Sequence, residues 1–450
     1  MISEPSVPET RVLAIASHVV YGYVGNKMAT FVMQCLGCDV SAINTVNYSN
    51  HTAYKQVKGT KTSAEQIHDL YEGLKQSNLN NFDVLLSGYM PNAEDVQEVG
   101  RIGRDLKFNA TTKPGSFFWV LDPVMGDEGK LYIPEDEVPQ YKYLLGEADL
   151  ILPNQFEAEL LSDTQITDLT SLATAIKVLH RTYLVPHVII TSLRLSPENR
   201  TISKSASRVS SKNPSSRATP SASSSTSPDR SGARTGPRLG DKLAEGEEAE
   251  VDTITIIGST ATSDHTPRLF RIDIPAYPLF FSGTGDMFAA LMVARLREAV
   301  FAAELQHTAS WKSPDDVPAP ELPLAKATEK VLASMQAVLA KTVAYCDEEM
   351  RLFDAKEARE GYGTGEEAGE ERAMRRHLRL TRASEVRVAR NITDLVSPEH
   401  VERFRARAVD VEGVSRPAGE PKLNELGVVN LGIGGLRHGA VNVIGGKQRG

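Results

Sequence analysis

Residues 116–127 read SFFWVLDPVMGD, and the fold is decided there. After Ser116 the run Phe117–Leu121 is apolar at every position, then breaks at Asp122-Pro123. A strand with no polar face must be covered on both sides, which is the condition of a parallel sheet between two helical layers. Asp122 closes the run at the strand's C-terminal end, where open α/β sheets bind their ligands. Outward from here the alternation repeats. Strands are predicted at Arg11–Ser17, Asp39–Asn47, Phe82–Ser87, Leu150–Leu152 and Val188–Thr191. Between them the apolar period predicts helices at Val24–Leu36, Ala64–Lys75, Phe156–Ser162 and Leu172–Leu179. Two more strands, Asp252–Gly258 and Arg268–Pro275, lead to the helical stretches Gly283–Arg297 and Leu324–Tyr345. The expected fold is α/β and doubly wound, a central, mostly parallel sheet with helices on both faces. No early inserted sheet stands near residues 20–45, so no separate lid domain is expected.

Composition bounds the rest. At 41% hydrophobic and 24% charged, the 450-residue chain can bury a sizeable core. A net charge of −8 gives no nucleic-acid footprint, and no apolar run reaches the length of a membrane span, so neither partner is expected. Cys35, Cys38 and Cys346 can build neither a disulfide framework nor a zinc site. With no apolar leader in MISEPSVPETR, the expected compartment is the cytoplasm, with the nucleus as an alternative. Composition breaks at 194–250, a Ser/Arg-rich and then acidic stretch that cannot offset its ordering entropy and reads as a disordered insertion. The expected organisation is a tail at 1–10, a catalytic domain at 11–193 and 251–350, a linker at 351–376, an extension packed on the core at 377–410, and a mobile tail at 411–450.

Four further motifs carry chemistry. Gly283-Thr284-Gly285-Asp286 opens a helix. Free N–H groups at a helix start hold an anion, and an adjacent carboxylate can take a proton from an alcohol. Together they suit phosphoryl transfer. Beside Asp122, Asp127 is a second carboxylate able to organise Mg²⁺ around phosphates. Leu152-Pro153-Asn154-Gln155-Phe156-Glu157 follows a strand; it reads either as a complete helix cap or as an amide and a carboxylate for phosphate and metal. Ser17 with Gly22, Gly25 and Asn26, and the loop Tyr48-Ser49-Asn50-His51-Thr52, offer short polar donors and an aromatic ring. Neither a dinucleotide fingerprint nor a Walker A loop is present.

In order, SHVVYGYVGNKMATFVMQCLG, VNYSNHTAY, GYMP, LDPVMGDEGKLYIPED, LPNQFEAELL, VIITS and SGTGDMFAA span about 11–192 and 251–297. The set resembles the pyridoxal kinase branch of the ribokinase-like superfamily, in its extended eukaryotic and fungal form. The resemblance implies ATP-dependent phosphorylation of the 5′-hydroxyl of pyridoxal, pyridoxine and pyridoxamine, with Mg²⁺, K⁺ as an activator, and a homodimer. By the same resemblance Asp286 is the base and Gly283, Thr284 and Gly285 the anion hole. Ser17, Val24, Tyr48, His51, Thr52 and Tyr89 would receive the pyridine ring. Asp122, Asn154, Glu157, Thr191, Ser192, Tyr132, Ile274, Tyr277 and Thr284 would hold ATP, with Asp122, Asp127 and Glu157 near the cations.

The chain departs from the family at three places, one of them a short flap between Gly126 and Leu131. Leu152 stands where many relatives have Thr, which removes a hydroxyl near the monovalent cation. Ser282 stands where an apolar residue is common. The rival enzyme is a hydroxymethylpyrimidine kinase, which carries Gly-Thr-Gly-Cys at the turn where this chain has Asp286. The rival of another class is a catalytically weak scaffold working through the 194–250 insertion; turnover that survives deletion of 200–245 while partner binding is lost would mark such a role.

Overall fold

The computed structural model describes residues 7–194, 253–360 and 366–409. The strands are β1 (Arg11–Val19), β2 (Asp39–Tyr48), β3 (Gly59–Lys61), β4 (Val84–Ser87), β5 (Phe118–Leu121), β6 (Gly126–Asp127), β7 (Lys130–Leu131), β8 (Leu150–Ile151), β9 (His187–Leu193), β10 (Thr253–Ala261), β11 (Pro267–Pro275) and β12 (Arg407–Ala408). The helices are α1 (Asn26–Cys35), α2 (Ala64–Gln76), α3 (Ala93–Asn109), α4 (Glu137–Leu144), α5 (Gln155–Ser162), α6 (Leu169–Arg181), α7 (Thr284–Ala302), α8 (Pro323–Glu360), α9 (Glu366–Ala383) and α10 (Ile392–Val396). Among the described residues, ten strands form one sheet in the order β12-β11-β10-β9-β8-β5-β4-β1-β2-β3. The six strands from β9 to β2 are mutually parallel, and both ends of the sheet are antiparallel.

The alternation of side chains explains the continuous apolar runs. Phe118 and Val120 of β5 enter one core, while Trp119 and Leu121 enter the other. β1 divides the same way, Val12 and Ala14 against Leu13 and Ile15. The first core is closed by α1, α7 and α8 through Met28, Leu291 and Val331, the second by α2, α3, α5 and α6 through Ile67, Ile102, Leu161 and Ile176. The expected α/β architecture is therefore present, with boundary shifts of a few residues except in α8, which runs on past the expected end at Tyr345 to Glu360.

The linker expected over 351–376 is corrected. Helix α8 continues to Glu360, and α9 begins at Glu366. Their charges, which read as a solvated spacer, face each other: Arg376 meets Asp354 at 3.2 Å, Arg372 meets Glu357 at 3.3 Å, and Arg379 pairs with Glu349. Beneath them Cys346, Met350 and Ala383 make a small third core. Past α9, Val386, Val388 and Leu395 are buried in the first core, and β12 pairs with β11. The buried Arg295 ties this segment down through the Leu395 and Val396 carbonyls at 2.8 and 2.7 Å. The expected insertion (beyond Arg194), the 411–450 tail and the first six residues lie outside the described residues.

Candidate active site

The candidate residues converge because the sheet is parallel. Ser17 lies near the C-terminal end of β1, Tyr48 ends β2, Tyr89 follows β4, Asp122 follows β5, Asn154 follows β8, and Thr191 and Ser192 lie in β9. The chain leaves β1 for β2 on one side and returns to β4 on the other, so the topological switch point falls between β1 and β4.

The turn before α7 is built by its glycines. Gly283 has φ +81°, and a Cβ on it would lie 2.2 Å from the Tyr23 carbonyl oxygen. This close approach seats the β1–α1 turn on the α7 N-terminus. Asp286 sits in the first turn of α7. Burial pushes its pKa above the usual carboxylate range, against the opposing pull of the Gly25 and Asp286 backbone amides. Asp122 is held well above that range by burial, then by the charges of Glu157 and Asp286. A Cβ on Gly285 would stand 3.9 Å from Asp122 Oδ2, so this carboxylate borders the turn. Asp122 thus feels the charge of both Glu157 and Asp286, and like charges this near one another favour the protonated form of one of them.

Asn154 and Glu157 are engaged structurally. Asn154 Oδ1 accepts from the Glu157 N–H at 2.9 Å, and Glu157 Oε2 accepts from the Asn154 N–H at 2.9 Å, a reciprocal cap of α5. Glu157 Oε1 also accepts from the Met125 and Gly126 amides at 2.9 and 3.4 Å, and Asn154 Nδ2 donates to the Gly126 carbonyl at 2.7 Å. Both Glu157 oxygens are thus taken by backbone, and the pair clamps the Asp122–Gly126 loop to α5. Burial pushes Glu157 up to about 7, with the Asn154, Met125 and Gly126 amides pulling the other way. A carboxylate raised on folding stabilises the native state fully below the ordinary Glu range, and the contribution is lost as pH rises through about 7. Glu157→Gln, which turns one accepting head into a donor facing an amide, is expected to cost about 1–3 kcal/mol. It should also flatten the decline of the thermal midpoint between pH 5 and pH 8, read by melting curves at both.

A cavity of about 550 Å³ brings together Asn154, Thr191, Ser192, Ile274, Tyr277 and Thr284, six of the residues expected around ATP. Asp127 and Gly285 also line it, with Leu332, Met335 and Leu339 of α8 as an apolar wall. The Tyr277 hydroxyl donates to the Gln336 carbonyl at 3.3 Å. The α8 wall went unread because its apolar positions look like ordinary core. Tyr132 is not among the cavity's lining residues and is 61% exposed, beyond the β6–β7 hairpin.

The ring candidates lie at the ends of the neighbouring strands β4, β1 and β2 and in the segments that follow them. Ser17 packs on Gly25, where an added Cβ would meet Ser17 Oγ at 2.3 Å. Val24, Tyr48 and Tyr89 are half-buried, and Thr52 is exposed. Burial, followed by the charge of Tyr48, raises the Tyr89 phenol to about 12. His51 Nδ1 lies 3.2 Å from Ser282 Oγ, and His51 Nε2 lies 2.9 Å from Glu385 Oε1. Sequence reading missed Glu385, which stands 334 positions from His51 with no motif around it.

A cavity at the strand ends, the α7 N-terminus beside it and a carboxylate in the first turn of that helix give the layout of a ribokinase-like small-molecule kinase. A family model described as phosphomethylpyrimidine kinase matches residues 106–218, a stretch that stops short of the Gly283–Asp286 turn. A Schizosaccharomyces pombe protein named "Putative pyridoxal kinase" is 36% identical over 332 residues, 74% of this chain and 85% of its own. The pig (Sus scrofa) pyridoxal kinase is 47% identical over 163 residues, 35% of this chain and 49% of that one. Among solved structures, Leishmania donovani pyridoxal kinase in complex with ADP and pyridoxamine superposes with a TM-score of 0.58 at 25% identity, covering 89% of this chain and 98% of that one. The chain belongs to the pyridoxal kinase family.

Proposed function

We propose that the chain is a pyridoxal kinase, transferring the ATP γ-phosphoryl group to the 5′-hydroxyl of pyridoxal, pyridoxine or pyridoxamine. The observation that carries this reading is the placement of Asp286 in the first turn of α7, behind Gly283 and beside Asp122, bordering the cavity at Thr284. ATP occupies that cavity, with adenine against Ile274 and Tyr277 and the phosphates toward Thr191, Ser192 and Asn154. The vitamer lies toward β1, β2 and β4, its hydroxymethyl group facing Asp286. Asp286 accepts the hydroxyl proton as the oxygen attacks the γ-phosphorus. The α7 N-terminal amides receive the charge on the transferring group, and ADP leaves in line. Solved relatives in complex with ADP and pyridoxamine or pyridoxine support both halves of this assignment.

Mg²⁺ fits Asp122. Asp122 is 8% exposed as a whole residue and its carboxylate has no side-chain hydrogen bond among the described residues, and Mg²⁺ is ordinarily held by one or two carboxylates plus phosphates. Bound there, Mg²⁺ would neutralise phosphate charge. Asp127 is exposed beside the cavity and could contribute through water; Glu157, with both oxygens on backbone amides, is placed to shape the loop. Potassium activation gains no support from Leu152, whose buried apolar side chain brings no oxygen. The homodimer and the cytoplasmic or nuclear location are proposals that rest on the family resemblance and the reduced-cysteine composition. No helix among the described residues is long and apolar enough to cross a membrane.

The test is Mg-ATP-dependent turnover of the three vitamers by purified protein, with hydroxymethylpyrimidine run alongside. Formation of pyridoxal phosphate supports the reading. Turnover of the pyrimidine alone moves the chain to the sister activity, for which the family-model match over 106–218 is the specific observation. Turnover of none, in folded protein that still binds ATP, removes the enzyme reading.

A further inference from the structure

We infer that Glu385, from the segment after α9, is a positioning residue for the acceptor side of the site, fixing His51 and Tyr54 and coupling them through Ser282 to the Gly283 turn. The inference rests on the reading above that the loop carrying His51 handles the acceptor ring.

Four contacts carry it. Glu385 Oε1 accepts from the Tyr54 hydroxyl at 2.9 Å and pairs with His51 Nε2 at 2.9 Å. Both side chains of the His51–Glu385 pair are mostly buried, 9% and 12% exposed. The other oxygen, Oε2, is buried with no hydrogen-bond partner among the described residues. It points at Gly22, where a Cβ would lie 2.5 Å away and where φ is +89°. One carboxylate therefore reaches both loops that flank the ring candidates, the turn after β1 and the loop after β2. A second tether comes from α9, where His377 Nε2 donates to the Ala53 carbonyl at 2.8 Å.

The chemistry assigns a direction to this chain of contacts. An ionised carboxylate only accepts, so His51 must carry a proton on Nε2. In the neutral ring Nδ1 is then an acceptor, and the Ser282 hydroxyl at 3.2 Å donates to it. Ser282 immediately precedes Gly283. Glu385 thus fixes which nitrogen of His51 faces the catalytic turn, and fixes the ring that packs on Tyr54 with centroids 4.8 Å apart. Without the carboxylate, both the imidazole and the Tyr54 hydroxyl lose their acceptor in a mostly buried place. The unpartnered Oε2 keeps the carboxylate from being exchangeable with an amide, whose extra N–H would have nothing to meet.

The experiment compares Glu385→Gln and Glu385→Ala with wild type by steady-state kinetics, melting, and ¹⁵N NMR of the His51 ring. Glu385→Gln is expected to raise KM for pyridoxal about tenfold, the range of one buried polar contact, while KM for Mg-ATP stays within about twofold. The wild-type ring should show the Nε2-protonated tautomer, and Glu385→Gln a mixture. A parallel rise of both KM values with a lowered melting point, and an unchanged tautomer, would reduce Glu385 to a packing role and overturn the inference. So would unchanged KM values for both substrates. If wild-type protein turns over no vitamer, the proposed function fails, yet the tautomer of His51 still decides whether Glu385 sets it.

Discussion

Asp286→Ala is expected to lower kcat for pyridoxal about a thousandfold, within the 10²–10⁴ range of a positioned general base, and to leave Mg-ATP binding close to wild type. The argument starts from placement. Asp286 stands in the first turn of α7, where the amides that would receive the γ-phosphoryl also begin. Removing the carboxylate leaves the Gly283 approach in place, so the nucleotide keeps its partners; what is lost is the proton acceptor and its bonds from the Gly25 and Asp286 amides. Stability should not fall with activity. Burial raises the Asp286 pKa, so its charge is held at a cost in the native state, and the neighbouring Asp122 is raised partly by that same charge. The relief of that charge and the loss of its bonds from the Gly25 and Asp286 amides oppose each other, so the alanine variant is expected to melt near the wild-type temperature. The pH profile follows with its sign. A base must be deprotonated, so the acid limb of kcat/KM should lie above the ordinary Asp range, and activity should fall as pH drops through it. Single-turnover kinetics with wild type and Asp286→Ala, each with a nucleotide-binding titration, measure both parts. A variant that keeps more than about a tenth of wild-type kcat would remove Asp286 from the role of base.

What could be read in the sequence was what one strand or one turn encodes by itself. SFFWVL fixes a strand covered on both sides, and the structure divides its residues between two cores. GTGD fixes a helix start, and LPNQFE fixes a cap, because their hydrogen bonds close within four residues. Helix α3 escaped notice although Val96, Val99, Ile102 and Leu106 keep a helical period. Its Gly100 and Gly103 look like breakers, yet they are there for packing: a Cβ on Gly103 would lie 2.2 Å from the Trp119 ring. The charged stretch of α8 and α9 read as a spacer because Arg372, Arg376 and Arg379 find their partners 15 to 30 positions away, across the helix pair. Glu385 is the limiting case, since its meaning depends on His51, Tyr54 and Gly22 at once. Asn154 and Glu157 show the converse. Their residue types suit phosphate and metal, and the structure spends them first on holding a loop.

Gly283→Ala is expected to lower kcat by about 10²–10³-fold and to destabilise the protein by about 2–3 kcal/mol, while Gly285→Ala folds normally. Two separate costs meet at residue 283. The backbone there has φ +81°, a region that an L side chain enters at about 1–2 kcal/mol. The added Cβ would also lie 2.2 Å from the Tyr23 carbonyl oxygen, far inside any real contact. Neither neighbour can yield by a rotamer change, because both are main chain. Either the α7 turn or the β1–α1 turn must shift, and both carry the site. The first holds Asp286 and the amides proposed for the transferring group; the second holds Val24 and Gly25, whose amide faces Asp286. A displacement of about 1 Å between base and acceptor costs about a hundredfold in rate. Loss of an aligned anion-hole donor costs as much again or more. Gly285 supplies the control. An added Cβ there meets only Asp122 Oδ2, at an ordinary 3.9 Å, and its φ lies outside the left-handed region. The measurement is kcat and melting temperature for the two variants side by side. Equal losses in both would mean that bulk anywhere in the turn obstructs the substrates. Loss at 283 alone would mean that the close seating of one turn on the other sets the catalytic geometry.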